Sequence, residues 1–380
     1  MHKENAWSGA RNLLLVRMDT LGDILMTSPA IRAVRENLPA SRLTLLTSSG
    51  GGQAAALLPE LDRVMVHDPP WMKATPQRND GTVDRRFIRH LRRMGFDAAI
   101  IFTVFSQSPL PAAMLCQLAD IPLRLAHCRE NPYQLLTHWV QETDEVNHMR
   151  HEVQRQLDLV ATVGFTTPDP AMRVPVDPRM VYDVEQRLTN LGLDRSRPWM
   201  VVHPGASAPS RRWHPQGFAA AAARMTAEDE MQIVFTGSVA EIDLVEGIRS
   251  HMVEPGFSLA GQLNLEELAA LLWMTPVILT NNTGPAHLAA AVGTPVVDLY
   301  ALTNPQHTPW MVPNQVLFHD VPCRNCFKSV CPLVHHNCLR LVSVDEVVAA
   351  VRSLYRYEWL MDEESPGKCA HSNESLLAGD

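Results

Sequence analysis

Short apolar runs that alternate with helix-period segments restrict the fold of this 380-residue chain more than any other feature. In the first part, residues 12–18, 42–47, 63–66, 98–102 and 123–126 read as strands, with helical patterns between them, notably over 24–38 and 53–58. Strands that are apolar throughout are covered on both faces, and strands separated by helices pair in parallel. Around residues 166–178 the pattern breaks at Pro168, Pro170, Pro175 and Pro178, a cluster suited to an interdomain linker. A polar helix over 180–191 then leads into a second alternation. Its strands are 200–203, 232–236, 277–280 and 295–299, and its helices 215–227, 240–251, 265–273 and 285–292. The expectation is an α/β protein of two Rossmann-like domains, residues 1–175 and 176–362. A polar tail, 363–380, is expected to be disordered. Two such units in tandem imply a cleft between them, where small ligands bind.

Composition narrows the class. Hydrophobic content of 46% and a mean hydropathy of -0.09 describe a soluble globular protein. No apolar run reaches the roughly 18 residues that cross a bilayer. Residues 1–11 are polar and lack the apolar core of a signal peptide, so a cytoplasmic location is expected. The net charge of -8 is uneven: residues 1–175 carry 19 Lys+Arg against 18 Asp+Glu, and the remainder 14 against 23. That acidic excess argues against nucleic-acid binding. One basic cluster stands out: Arg85, Arg86, Arg89, Arg92 and Arg93, interleaved with Phe87, Ile88, Leu91 and Met94 in an amphipathic helix pattern. It reads either as a solvated helix face or as a landing site for an anionic acceptor or the inner membrane surface.

Three segments carry chemistry. The stretch Thr280-Asn281-Asn282-Thr283-Gly284-Pro285-Ala286-His287-Leu288 lies at a strand-to-helix turn, where unpaired N–H groups and the helix dipole favour phosphate. Arg17-Met18-Asp19-Thr20-Leu21-Gly22-Asp23 follows the first strand, and His203-Pro204-Gly205-Ala206-Ser207 another, with Arg211-Arg212-Trp213 close behind. In order and spacing these segments resemble glycosyltransferase family 9, the ADP-heptose:lipopolysaccharide heptosyltransferases, from about residue 13 to 351.

The resemblance implies the GT-B architecture, with an acceptor-binding N-terminal domain and a nucleotide-sugar-binding C-terminal one. It implies inverting transfer of a heptose from ADP-heptose or a related nucleotide sugar to an anionic glycolipid, such as the lipopolysaccharide inner core, without a catalytic cofactor. Asp23 matches the family's proposed base, which would draw the proton from the acceptor hydroxyl. The alternative is a plain charge at a helix N-terminus. Asp19 is a second carboxylate without a clear family role. Arg211 and Arg212 stand where relatives carry Lys-x-Trp and would hold the diphosphate, which gains charge as the bond breaks. Glu241 matches an acid on the donor ribose. His203, Thr283, Gly284 and His287 complete the expected donor site; a packed histidine is the bland reading of His203. Asn282 departs from the Asp of many relatives, and an amide cannot act as a base.

Cys323, Cys326, Cys331 and Cys338 have a spacing that suits a structural zinc or iron site, with His335 and His336 as substitutes; it equally allows two disulfides, and free thiols are a third reading. Three other readings stay open: a family 9 enzyme with another sugar or a protein acceptor, a non-catalytic nucleotide-sugar-binding protein, and an oxidoreductase. The last is weakened by the lack of Gly-x-Gly-x-x-Gly after either first strand.

Overall fold

The computed structural model describes residues 6–73, 75–145 and 149–364. The chain divides into two compact units. One comprises Met1–Pro175 with two short later segments, Thr303–Met311 and Asn325–Phe327; the rest forms the other. The tail expected after residue 363 lies, from 365, outside the described residues.

The first unit runs β1 (Asn12–Val16), α1 (Leu21–Asn37), β2 (Arg42–Thr47), α2 (Gly52–Ala56), β3 (Arg63–Val66), α3 (Thr82–Met94), β4 (Ala98–Ile101), α4 (Leu110–Leu118), β5 (Leu123–Cys128), β6 (His138–Gln141) and α5 (Glu152–Ala161). Its strands form one sheet in the order β3-β2-β1-β4-β5-β6, with parallel pairing throughout. The apolar strands Leu13–Val16 and Ala98–Ile101 are buried at its centre. The second unit runs α6 (Pro178–Asn190), β7 (Trp199–His203), α7 (Pro215–Asp229), β8 (Gln232–Phe235), α8 (Ile242–Arg249), β9 (Phe257–Ser258), α9 (Leu265–Met274), β10 (Ile278–Asn281), α10 (Gly284–Val292), β11 (Val296–Leu299), β12 (Asn314–Leu317), α11 (Asn337–Arg340) and α12 (Val344–Glu364). Its sheet, β12-β11-β10-β7-β8-β9, is also parallel. The expected pair of Rossmann-like α/β domains is therefore present. No helix among the described residues is long and apolar enough to cross a membrane.

In both sheets the chain reverses its direction of strand addition at the first strand. The switch points lie between β1 and β4 and between β7 and β10. Open parallel sheets bind ligands outside the carboxyl ends of the strands at such points. Arg17–Asp23 leaves β1 there, and His203–Ser207 and Asn282–Gly284 leave β7 and β10.

Elements outside the expected pattern include α4, β6, α5, β9, β12, α11 and α12, and three of these escape a periodicity argument for a clear physical reason. In α5 the buried face carries Glu152, Arg155 and Gln156 as well as Val153, Leu159 and Val160, so its apolar period is masked. The edge strand β6 alternates half-buried with exposed residues, and α4 is apolar on most of its surface. By contrast α1 survives an internal proline. Pro29 lacks the N–H that would reach the Leu25 carbonyl, and the Ser28 hydroxyl donates to that carbonyl at 2.8 Å instead.

The strand expected over 12–18 stops at Val16 because Arg17 turns inward. Its side chain is fully buried, with Nη1 2.9 Å from Glu152 Oε1 on α5, Nε 3.0 Å from Asp19 Oδ2 and Nη2 3.2 Å from Asp23 Oδ1. Burial alone would lower its proton affinity, but the Asp19, Glu152 and Asp23 carboxylates outweigh that effect and hold the charge. Gln156 closes the network, donating to Glu152 Oε1 at 2.7 Å and to the Thr103 carbonyl at 3.0 Å. Removing one partner of a buried ion cluster strands the others. Arg17→Met should therefore lower unfolding stability by about 3–5 kcal/mol. Urea denaturation at pH 7 measures it, and a loss below about 1 kcal/mol would show that the cluster does not hold the unit together.

Candidate active site

The carboxyl edge of the first sheet is built around two carboxylates. Asp23 sits in the first turn of α1. Its Oδ2 accepts from the Thr20 N–H and hydroxyl, each at 3.3 Å, while Oδ1 faces Arg17. Asp23 thus does the work of a helix-terminal charge, and its side chain remains 17% exposed at the ligand edge. Asp19 is deeper. Its Oδ1 accepts from Gln107 Nε2 at 2.6 Å, and burial pushes its carboxyl up to about 6, with Arg17 opposing and Asp23 adding to the rise. The loop after β2 closes on this group. A Cβ on Gly51 would stand 2.2 Å from Thr47 Oγ1 and 2.7 Å from the Asp19 carbonyl, so only glycine permits this approach.

The carboxyl edge of the second sheet gathers most of the expected donor residues. At the end of β7, His203 Nδ1 lies 3.0 Å from Thr236 Oγ1 and Nε2 lies 4.0 Å from Glu241 Oε2. Burial lowers the imidazole to about 4, only partly offset by Glu241, so the ring is neutral near pH 7 and this contact is no ion pair. Glu241 Oε2 accepts from the Ser238 N–H at 2.8 Å and hydroxyl at 2.9 Å. Its other oxygen packs on Gly205, where a Cβ would stand 2.1 Å away. Arg211 ends a single 3-10 turn, Pro209–Arg211, and is half-buried; Arg212 is exposed and donates through Nε to the Ala206 carbonyl at 2.7 Å. Trp213 packs in the core. Thr283 is the extended N-cap of α10, Gly284 its first residue, and the buried His287 lies in its first turn. Asn282 is buried, and its N–H donates to the Leu299 carbonyl at 3.2 Å.

Asn281, not singled out in the sequence, organises this edge. Fully buried, it accepts from the Trp213 N–H at 2.9 Å and donates to the Pro204 carbonyl at 2.7 Å, tying β10 to the His203–Trp213 loop. In the first unit Arg17, Glu152 and Gln156 were missed in the same way. A charged residue inside an apolar strand-to-helix segment was the available signal for Arg17; Glu152 and Gln156 gave none.

The five arginines of α3 are all exposed. Because α3 follows β3 in a parallel sheet, its start lies at the ligand edge and its end at the opposite edge, about 20 Å away for 13 residues. Arg85 and Arg86 lie in the turn nearer the ligand edge, and Arg92 and Arg93 in the last turn. Arg92 is instead paired with Asp120 at 2.6 Å.

The expected metal site at the cysteine segment is not assembled among the described residues. Cys323, Cys326, Cys331 and Cys338 form no disulfide, and among the described residues no three His, Cys, Asp or Glu side chains are arranged to hold a metal ion. Cys323 Sγ lies 3.6 Å from His335 Nε2, but His335 Nδ1 is engaged by the Asn337 N–H at 2.9 Å. The spacing permits convergence without enforcing it. Here Asn325, Phe327, Val334 and His336 adopt positive φ and turn the chain repeatedly, and Cys326 belongs with the Asn325–Phe327 segment of the first unit.

The elevated Asp19 carboxyl has a thermodynamic signature. Its folded value lies above its unfolded one, so its contribution is fully present below about pH 4 and is lost as pH rises through about 6. Relative to Asp19→Asn, the wild type should lose roughly 2–3 kcal/mol of stability between pH 4 and pH 7. Parallel denaturation curves check this; a constant difference across that window would place the Asp19 carboxyl at its ordinary value.

Comparison with known proteins fits this geometry. A family model described as glycosyltransferase family 9 (heptosyltransferase) matches residues 84–336. The lipopolysaccharide heptosyltransferase 1 of Pseudomonas aeruginosa is 26% identical over 327 residues, covering 84% of this chain and 87% of that protein. The lipopolysaccharide core heptosyltransferase OpsX of Haemophilus influenzae is 22% identical over 301 residues, covering 78% and 81%. The solved structure of E. coli ADP-heptose lps heptosyltransferase II has the same fold, with a TM-score of 0.71 at 20% identity over 92% of this chain and 99% of that one. With a family match spanning well over half of its length, and a fold shared with that family's solved structures, the chain belongs to glycosyltransferase family 9 and is a glycosyltransferase.

Proposed function

We propose that this enzyme transfers a heptose, with inversion, from ADP-heptose to an anionic glycolipid such as the lipopolysaccharide inner core at the cytoplasmic face of the membrane. The observation that carries this reading is Asp23, an accessible carboxylate on the switch-point edge of the first sheet, held by a buried guanidinium. The acceptor hydroxyl attacks the anomeric carbon and passes its proton to Asp23 as the bond from that carbon to the diphosphate oxygen breaks. A single displacement inverts the centre. The departing ADP gains charge, which Arg211, Arg212 and the N–H groups that open α10 offset. Glu241 holds the ribose, with the neutral His203 and Thr283 lining the site. Arg85 and Arg86, at the start of α3, meet the anionic acceptor. The names of the P. aeruginosa and E. coli relatives support both the donor and the acceptor class.

Asn282 favours a second reading, a different nucleotide sugar or a protein acceptor, since an amide in place of a carboxylate alters which hydroxyls are recognised. A panel of nucleotide sugars with heptose-deficient lipopolysaccharide separates the readings. Acceptor-dependent ADP release should be fastest with ADP-heptose, and Asp23→Ala should cut it by on the order of 10²–10⁴ with ADP affinity unchanged. Faster release from another sugar nucleotide supports the second reading. Turnover of none of the panel leaves a binding protein, and near-wild-type turnover by Asp23→Ala removes the base assignment.

A further inference from the structure

One charged side chain in the second unit has no role in the account so far. Asp298 lies in the middle of β11 and is fully buried, and neither carboxylate oxygen has a hydrogen-bond partner. Its neighbours Val297 and Leu299 enter the main core cluster, so strand alternation turns Asp298 to the other face of the sheet. It stands there in register with Thr280 on β10, itself in register with His203 on β7. This row includes the last residue of β7 and lies one residue from the ends of β10 and β11.

A valine would fill such a position at no electrostatic cost. A bare carboxylate there is strongly unfavourable unless a cation comes to it. The opposite charge that acts on Asp298 is Arg211, half-buried at the end of its 3-10 turn. We propose that Asp298 is a positioning residue for Arg211: it receives one edge of the guanidinium and aims the other edge at the donor diphosphate. The planar fork of arginine suits this two-sided use, because one edge can pair with a carboxylate while the remaining N–H groups face phosphate. A lysine has no second edge to offer. Burial holds the Asp298 carboxyl well above the usual carboxylate range even against the opposing Arg211 charge, which spares the core a bare charge until the guanidinium closes on it.

The proposal rests on the reading that Arg211 faces the diphosphate, and a double-mutant cycle separates the two ideas. ADP and adenosine binding are measured by calorimetry for the wild type, Arg211→Ala, Asp298→Asn and the double variant. Arg211→Ala should weaken ADP binding. Asp298→Asn should weaken it roughly tenfold, leave adenosine binding unchanged, and change ADP affinity less than twofold when Arg211 is already absent. Its thermal stability should not fall, because the substitution removes an unpartnered buried carboxyl; Asp298→Thr serves as a second variant should the amide pack poorly. If Arg211→Ala loses affinity while Asp298→Asn does not, or if the two losses simply add, the positioning role is overturned and the Arg211 reading stands. If neither substitution affects ADP, both are overturned.

Discussion

One buried guanidinium sets the terms for the first unit. Arg17 leaves the central strand and turns into a region closed to solvent, where it is stable only because Asp19, Asp23 and Glu152 surround it. Those carboxylates come from the strand-to-helix turn, the first turn of α1 and the first turn of α5, so one charge fixes three backbone segments. The arrangement is asymmetric: Glu152 has a second cation, Arg155, at 3.7 Å, whereas the buried Asp19 is driven up to about 6 and Asp23 keeps an accessible edge. A hydrophobic substitute could pack there, but it could not orient a carboxylate at the end of the sheet.

The second unit solves a related problem with neutral groups. Asn281 spends its whole amide on the Trp213 N–H and the Pro204 carbonyl, and the neutral His203 leans on Thr236. Glu241 closes its own helix start and presses on Gly205. The edge is thus held by hydrogen bonds that need no counter-ion. On the proposed reading, the cations of this edge, Arg211 and Arg212, face an anionic ligand, with Asp298 behind Arg211.

The fold class was legible because parallel strands are short, apolar and separated by helices, a pattern that composition cannot hide. Strands over 42–47 and 63–66 are found as expected, and most other differences are one or two residues at the ends. Besides the C-terminal elements β12, α11 and α12, what stayed hidden was what depended on polar burial. The α5 face carries Glu152, Arg155 and Gln156 inward, which looks like a solvent face in sequence. Asn281 and Asp298 likewise gave no sign that they were enclosed. The cysteine spacing stayed ambiguous: it allows a metal site, disulfides or free thiols, and among the described residues no common set of metal ligands is assembled around the turns at Asn325, Phe327 and His336. Local spacing reports what a chain can do, and long-range packing decides what it does.

The central claim is that the second unit's carboxyl edge takes the nucleotide diphosphate. Hydrogen–deuterium exchange of the intact protein with and without saturating ADP tests it most directly. The account predicts slowed exchange in three separated segments, 203–213, 236–241 and 281–288. Unchanged exchange in all three, with protection confined to residues 13–23 of the first unit, would contradict it.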